Sequence, residues 1–268
     1  MIIFYDIAAK ENKGTWSPNT WKIRYVLNYK KLPYKTVYLE YPDIAPILSS
    51  LGIPPSGRTS TGQGIYTCPS IIDDHLDFDS TQNVQMSPQP TFVTDSYNIA
   101  EYLEATYPST PRIFPSGSEA LQKAFYDNVS ALIGPPWSKT HLSPLILPAI
   151  PQNILNPISA EHFIRTRTES FGPLEELDKQ AREEQWKKVE DSFKVLDRWM
   201  SKNNTQNGGE WVMGDTITFA DFAIAGLLNG ARVVLGEESE DWQKMMGWCG
   251  GKWKRFMDGL KEYSCVDN

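Results

Sequence analysis

Cysteine and histidine are both scarce, with three of each in 268 residues. Cys68, Cys249 and Cys265 are odd in number and far apart, so neither a disulfide framework nor a zinc motif is indicated. His75, His141 and His162 are scattered and read as surface or structural residues. No metal is expected, because the acidic cluster Asp73, Asp74, Asp77 and Asp79 reads as a solvated turn. Positive charge is in deficit, with 26 Lys and Arg against 33 Asp and Glu and a net charge of −7. That balance argues against nucleic acid or an anionic membrane as partner. The short run Lys252-Trp253-Lys254-Arg255 reads as a solvated helix face. No apolar stretch approaches the ~20 residues of a membrane helix. The run from Met1 to Asp6 is too short for a signal peptide's core, and no basic segment precedes it. A soluble, cytoplasmic protein is the expectation.

What is present is 40% hydrophobic residues, nine Trp and twelve Tyr, in a length that suits two domains. Ile2 to Ile7 predicts a strand. Ser17 reads as an N-cap with Pro18 in the first helical position, and the helix runs to about Lys31. Trp16 and Trp21 fall where a hydrophobic staple would place them. A second strand is expected over Lys35 to Glu40, then irregular chain over 42–64 with at most a short helix. A third strand lies within Ile65 to Asp73, followed by a long polar turn over 74–90 and a fourth strand, Thr91 to Thr94. Ser96 caps a helix carrying Ile99, Leu103 and Tyr107.

This order predicts an α/β thioredoxin-like N-terminal domain over residues 1–108. Pro111 and Pro115 mark a linker, 109–117, and an all-α C-terminal domain occupies 118–268. There Trp186, Val189, Phe193, Leu196 and Trp199 recur at helical spacing, residues 134–158 form a proline-rich break, and Thr218 to Asp221 reads as a capping box.

Three short segments carry chemistry. Ser17 is either a plain N-cap or a hydroxyl that holds a bound thiol as thiolate at the positive end of a helix. Pro69 is either a strand-edge proline or the second residue of a cis peptide that exposes the Cys68 backbone to an extended peptide ligand. The Cys68 side chain reads as a small buried hydrophobe rather than a redox group. Asp95-Ser96 is either a cap or a site for a group carrying both carboxylate and ammonium. Together the functional readings suit a small, charged, peptide-like thiol.

With those segments in this order, the chain resembles a cytosolic glutathione transferase along essentially its whole length. The stretch from Trp16 to Tyr34, WSPNTWKIRYVLNYKKLPY, with Tyr38 to Ile44 and Asp95 to Leu103, resembles the fungal serine-type FuA class, which is related to bacterial lignin β-etherases. The resemblance implies that Ser17 is the catalytic serine and that Ser17, Cys68, Pro69, Asp95 and Ser96 bind glutathione as co-substrate. It also implies a homodimer, a role in detoxification, and an aromatic or phenolic ligand between the domains. The wall expected for that ligand is apolar, with Asn19, Phe125, Tyr126 and Trp137. Two departures from the class are the long 74–90 turn and Cys68 where an aliphatic residue is commoner. Three activities follow as alternatives: conjugation, glutathione-dependent ether cleavage, or carriage of polyphenols as a ligandin. A thiol oxidoreductase is disfavoured, since it calls for cysteine at position 17.

Overall fold

Two parallel strands, β1 (Ile2–Ile7) and β2 (Tyr34–Leu39), are joined through helix α1 (Pro18–Tyr29). The chain continues through α2 (Tyr41–Ser50) and a small hairpin, β3 (Gly57–Arg58) and β4 (Gly64–Ile65). Two antiparallel strands, β5 (Ser70–Asp73) and β6 (Thr91–Thr94), then complete a four-stranded sheet of order β2-β1-β5-β6, and α3 (Ser96–Thr106) follows. The computed structural model describes residues 1–11, 13–74, 89–133, 141–203 and 209–266. Most of the expected 74–90 turn lies outside them.

Register decides where the site forms. Tyr5 pairs with Ser70, and Ser70 with Thr94. The C-terminal ends of β1 and β6 and the N-terminal end of β5 therefore lie along one edge of the sheet. The chain segments carrying Ser17, Pro69 and Asp95 all leave from that edge.

The all-α part comprises α4 (Glu119–Ile133), α5 (Ser143–Ile146), α6 (Ala149–Asn153), α7 (Pro157–Phe171), α8 (Lys179–Met200), α9 (Phe219–Leu235) and α10 (Glu240–Gly259). No helix among the described residues is long and apolar enough to cross a membrane.

Helix α9 is buried along most of its length and packs on α1. Close approach is possible because α9 carries glycine there. A Cβ on Gly226 would meet the Pro18 carbonyl oxygen at 2.6 Å, and one on Gly230 would meet Pro18 Cγ at 2.6 Å. The capping box at Thr218 forms as the sequence predicts. Asp221 Oδ2 accepts from the Thr218 amide (2.8 Å) and hydroxyl (2.9 Å), and Oδ1 accepts from the Val212 amide (2.8 Å). Burial pushes this carboxyl up to about 7, while those donors pull it down. Arg24 on α1 pairs with Asp6 on β1 at 2.9 Å, both side chains fully buried, and Arg24 also holds the carbonyl of Val266 in the C-terminal tail.

Several local expectations change. Residues 41–50 are a ten-residue helix despite two prolines. Pro42 sits in the first turn, where a missing amide costs nothing, and Ile44 and Leu48, four apart, are buried. The expected third strand narrows to Ser70–Asp73, because Gly64–Ile65 pairs locally with Gly57–Arg58 instead. Asp95, not Ser96, caps α3. Trp16 and Trp21 turn to other rings, Tyr41 and Tyr25 respectively. On α8 the buried stripe ends in Met200, leaving Trp199 40% exposed.

Candidate functional site

Ser17 stands at the N-cap of α1 with extended φ and ψ of −66° and 126°, yet its side chain makes no capping hydrogen bond. Its carbonyl accepts from the Trp21 amide (3.0 Å) and the Thr20 hydroxyl (3.0 Å). Its Oγ is buried, with no hydrogen-bond partner among the described residues. A buried hydroxyl left unpaired costs free energy, so a ligand that accepts its hydrogen gains what folding left unmade. Its place at the positive end of α1 favours an anion such as a thiolate.

The Cys68–Pro69 peptide is cis. The Cys68 thiol is buried, and burial together with the nearby Asp6 charge pushes its ionisation well above the ordinary range. The side chain is thereby poorly suited to be a nucleophile. The Ser70 hydroxyl lies within hydrogen-bond distance of the Thr67 carbonyl (2.9 Å) and the Thr94 hydroxyl (3.0 Å), which ties the proline turn to the strand leading into Asp95.

Asp95 adopts a positive φ of 75°. Its Oδ1 accepts from the amides of Tyr97 (2.9 Å) and Asn98 (3.3 Å), so one carboxylate oxygen caps α3. The Ser96 hydroxyl lies 3.3 Å from the Tyr126 hydroxyl. Lys22, 3% exposed, donates to that hydroxyl (3.2 Å) and to Asn19 Oδ1 (2.8 Å). One chain of polar contacts thus runs from the start of α1 to the start of α3.

Ser17 and Cys68 open onto a cleft of about 470 Å³, with Asn19 beside them. Its outer walls are α2, through Tyr41 and Ala45, and α7, through His162, Thr166, Arg167 and Ser170. Two latches hold these helices together. The Tyr41 amide donates to Ser159 Oγ (2.8 Å), and Asn156 donates to Glu40 (2.7 Å). The His162 ring stacks on Tyr41 with centroids 6.2 Å apart and planes 17° apart. Burial and the charges of Arg165 and Arg167 lower the His162 pKa, so the ring is neutral at neutral pH. Burial raises Tyr41 to about 12, with Arg167 opposing it.

The structure therefore brings Ser17, Asn19 and Cys68 to one cleft, with Pro69, Asp95 and Ser96 along the same sheet edge. It does not bring Phe125 there. Phe125 packs on Trp199 and lines a separate cavity of about 250 Å³ with Leu121 and Met213. Tyr126 lies in the polar bridge, and its ring packs on Tyr97 and Phe219. Trp137 lies outside the described residues.

The described lining of this cleft comes from α2 and α7 rather than α4, and beside apolar residues such as Ile7, Ile44 and Ile65 it carries a guanidinium, an imidazole and several hydroxyls. His162, read from the sequence as a surface or structural residue, lines the cleft. The signal in the sequence was the four-residue spacing of His162, Thr166 and Ser170 on one helix face, but only tertiary packing says which face meets the cleft. Among the described residues no group of His, Cys, Asp or Glu could hold a metal ion.

Comparison with known proteins agrees with this architecture. A family model described as the glutathione S-transferase N-terminal domain matches residues 16–106, and one described as the C-terminal domain matches 120–263. The Aspergillus flavus glutathione S-transferase-like protein ustS is 33% identical over 259 residues, covering 94% of this chain and 86% of that protein. Among solved structures, the glutathione S-transferase CsGST63524 of Ceriporiopsis subvermispora, in complex with glutathione, superposes with a TM-score of 0.85 at 35% identity, covering 100% of this chain and 99% of that one. Glutathione transferase GSTFuA2 of Phanerochaete chrysosporium gives 0.84 at 37%, covering 99% of each. With a thioredoxin-like sheet, a helical second half and family matches over both, the chain belongs to the glutathione S-transferase family, next to its fungal FuA members.

Proposed function

We propose that the chain binds glutathione along this sheet edge and uses Ser17 to present its sulfur as a thiolate to an aromatic electrophile. The observation that carries the reading is the buried, unpartnered Ser17 Oγ at the start of α1. A free thiol titrates near ~8.5, so a hydroxyl donor and a helix end acting together shift it toward thiolate at neutral pH. Serine remains a hydroxyl throughout. The thiol proton leaves to solvent, a carbon–sulfur bond forms, and the leaving group departs with its electron pair.

In this reading the Cys68 backbone beside Pro69 pairs with the peptide part of glutathione. The amides at the start of α3 with Ser96 hold the γ-glutamyl carboxylate, and the uncapped Oδ2 of Asp95 meets its ammonium. The stacked Tyr41 and His162 rings offer an aromatic partner a flat wall.

The test has two parts. A panel of aryl halides and β-aryl ethers is assayed with glutathione, while polyphenol binding is followed by tryptophan quenching. Turnover of halides or ethers is the expected result. Binding of polyphenols with no turnover of either class favours carriage over catalysis. In parallel, Asp95→Ala should weaken glutathione binding by calorimetry more than it slows the saturated enzyme. Equal affinity in variant and wild type would remove the γ-glutamyl assignment.

A further inference from the structure

The α7 wall carries a charge for which glutathione activation has no use. Arg167 Nε is buried, with no hydrogen-bond partner among the described residues. The guanidinium lies over the Phe163 ring, 5.2 Å from its centroid, and faces the Tyr41 phenol. Neither neighbour is an anion at neutral pH, since Tyr41 is held at about 12. The nearby carboxylates are engaged elsewhere: Glu169 lies 4.0 Å from Arg165, and Glu40 accepts from Asn156 and Ser159. Among the described residues, no acid forms an ion pair with Arg167. An arginine so placed has lost part of its hydration and recovered no counter-charge. Its fixed fork of donors matches a carboxylate better than any other small group. The flat Tyr41–His162 stack lines the same cleft.

We infer that Arg167 anchors a carboxylate on the second substrate, so that the cleft selects aromatic acids over neutral aromatics. This rests on the reading of the cleft as the meeting place of glutathione and an aromatic electrophile. It also narrows that reading: the class is not flat phenolics at large but rings bearing an acidic group within reach of α7. The glycyl carboxylate of glutathione shares the same chemistry and is the competing claimant on Arg167. The second substrate is favoured because Arg167 faces Tyr41, one of the two stacked rings, and lines the cleft with both of them.

The experiment separates the two sources. Binding of unreactive 3,5-dinitrobenzoate and its methyl ester is measured by calorimetry on protein saturated with glutathione. Wild type should bind the acid about 10–100-fold more tightly than the ester, the range of one good charge-assisted pair. Arg167→Met should abolish that preference, Arg167→Lys should keep part of it, and glutathione affinity should stay within about twofold throughout. A wild type without the preference, or Arg167→Met retaining it while losing glutathione affinity, overturns the inference; the second result gives Arg167 to the glycyl end.

Turnover is then read with 4-chloro-3,5-dinitrobenzoate, where sulfur displaces chloride. A preference for the acid that depends on Arg167, with no turnover, supports the anchor and counts against the transferase reading.

Discussion

Replacing Ser17 with alanine separates capping from catalysis, because the two roles predict opposite effects on stability. A side-chain cap lost to alanine costs ~1 kcal/mol. Here no such bond exists, and the deleted oxygen is buried and unpartnered. Ligand-free Ser17→Ala should therefore be as stable as wild type or up to about 1 kcal/mol more stable. Activity should move the other way. A hydrogen bond to a charged acceptor contributes ~1.5–3 kcal/mol, and each pKa unit corresponds to ~1.4 kcal/mol, so the bound thiol should titrate about one to two units higher. Below that pKa the thiolate fraction, and with it the rate at saturating glutathione, falls about 10–100-fold. The deficit should shrink as pH rises, since alkali deprotonates the thiol without help. Thermal melts of the free protein, with initial rates on 1-chloro-2,4-dinitrobenzene from about pH 6 to 9, read both arms. A variant whose pH–rate profile superimposes on wild type refutes the thiolate role. One that melts lower by the value of a cap returns Ser17 to a structural function.

Gly226→Ala should push the first turn of α1 off α9, since the added Cβ would lie 2.6 Å from the Pro18 carbonyl and 3.0 Å from Lys22 Cγ. A loss of ~1–3 kcal/mol with a fall in turnover is expected, against no loss for Gly247→Ala, whose Cβ meets nothing within 4 Å. Arg24→Met leaves Asp6 buried without its partner and removes one of two hydrogen bonds to the Val266 carbonyl; urea unfolding should show a loss of ~3–5 kcal/mol, and a near-neutral result would mean that Asp6 is satisfied by the Ile7 amide alone. Exposed Cys265 should react at once with an aromatic disulfide reagent, whereas Cys68 should react only on denaturation. Rapid native labelling of Cys68 would contradict its raised thiol.

Where a feature depends on neighbours in sequence, the chain by itself determined it. Ser17-Pro18 had to start a helix because proline is pre-set for that position. The strands at either end of α1 follow from their apolar and β-branched residues. Thr218 and Asp221 lie three apart, which is all a capping box needs. The fold class was legible on these grounds, as were the helix starts at Ser17-Pro18 and Asp95-Ser96. The choice between Ser17 as cap and as free hydroxyl was not, because it depends on which atoms surround Oγ once distant segments have packed around it. The cap at α3 passed from Ser96 to Asp95, whose backbone takes a positive φ and whose carboxylate accepts from the Tyr97 and Asn98 amides. The cleft wall was decided wholly by tertiary structure. Phe125 and Arg167 both lie on helices that could have faced the site, and helical periodicity fixes which residues share a face but not what that face meets. The Glu40–Asn156–Ser159 latch, joining residues more than a hundred positions apart, brings α7 against α2 and so adds a guanidinium and an imidazole to an otherwise largely apolar lining.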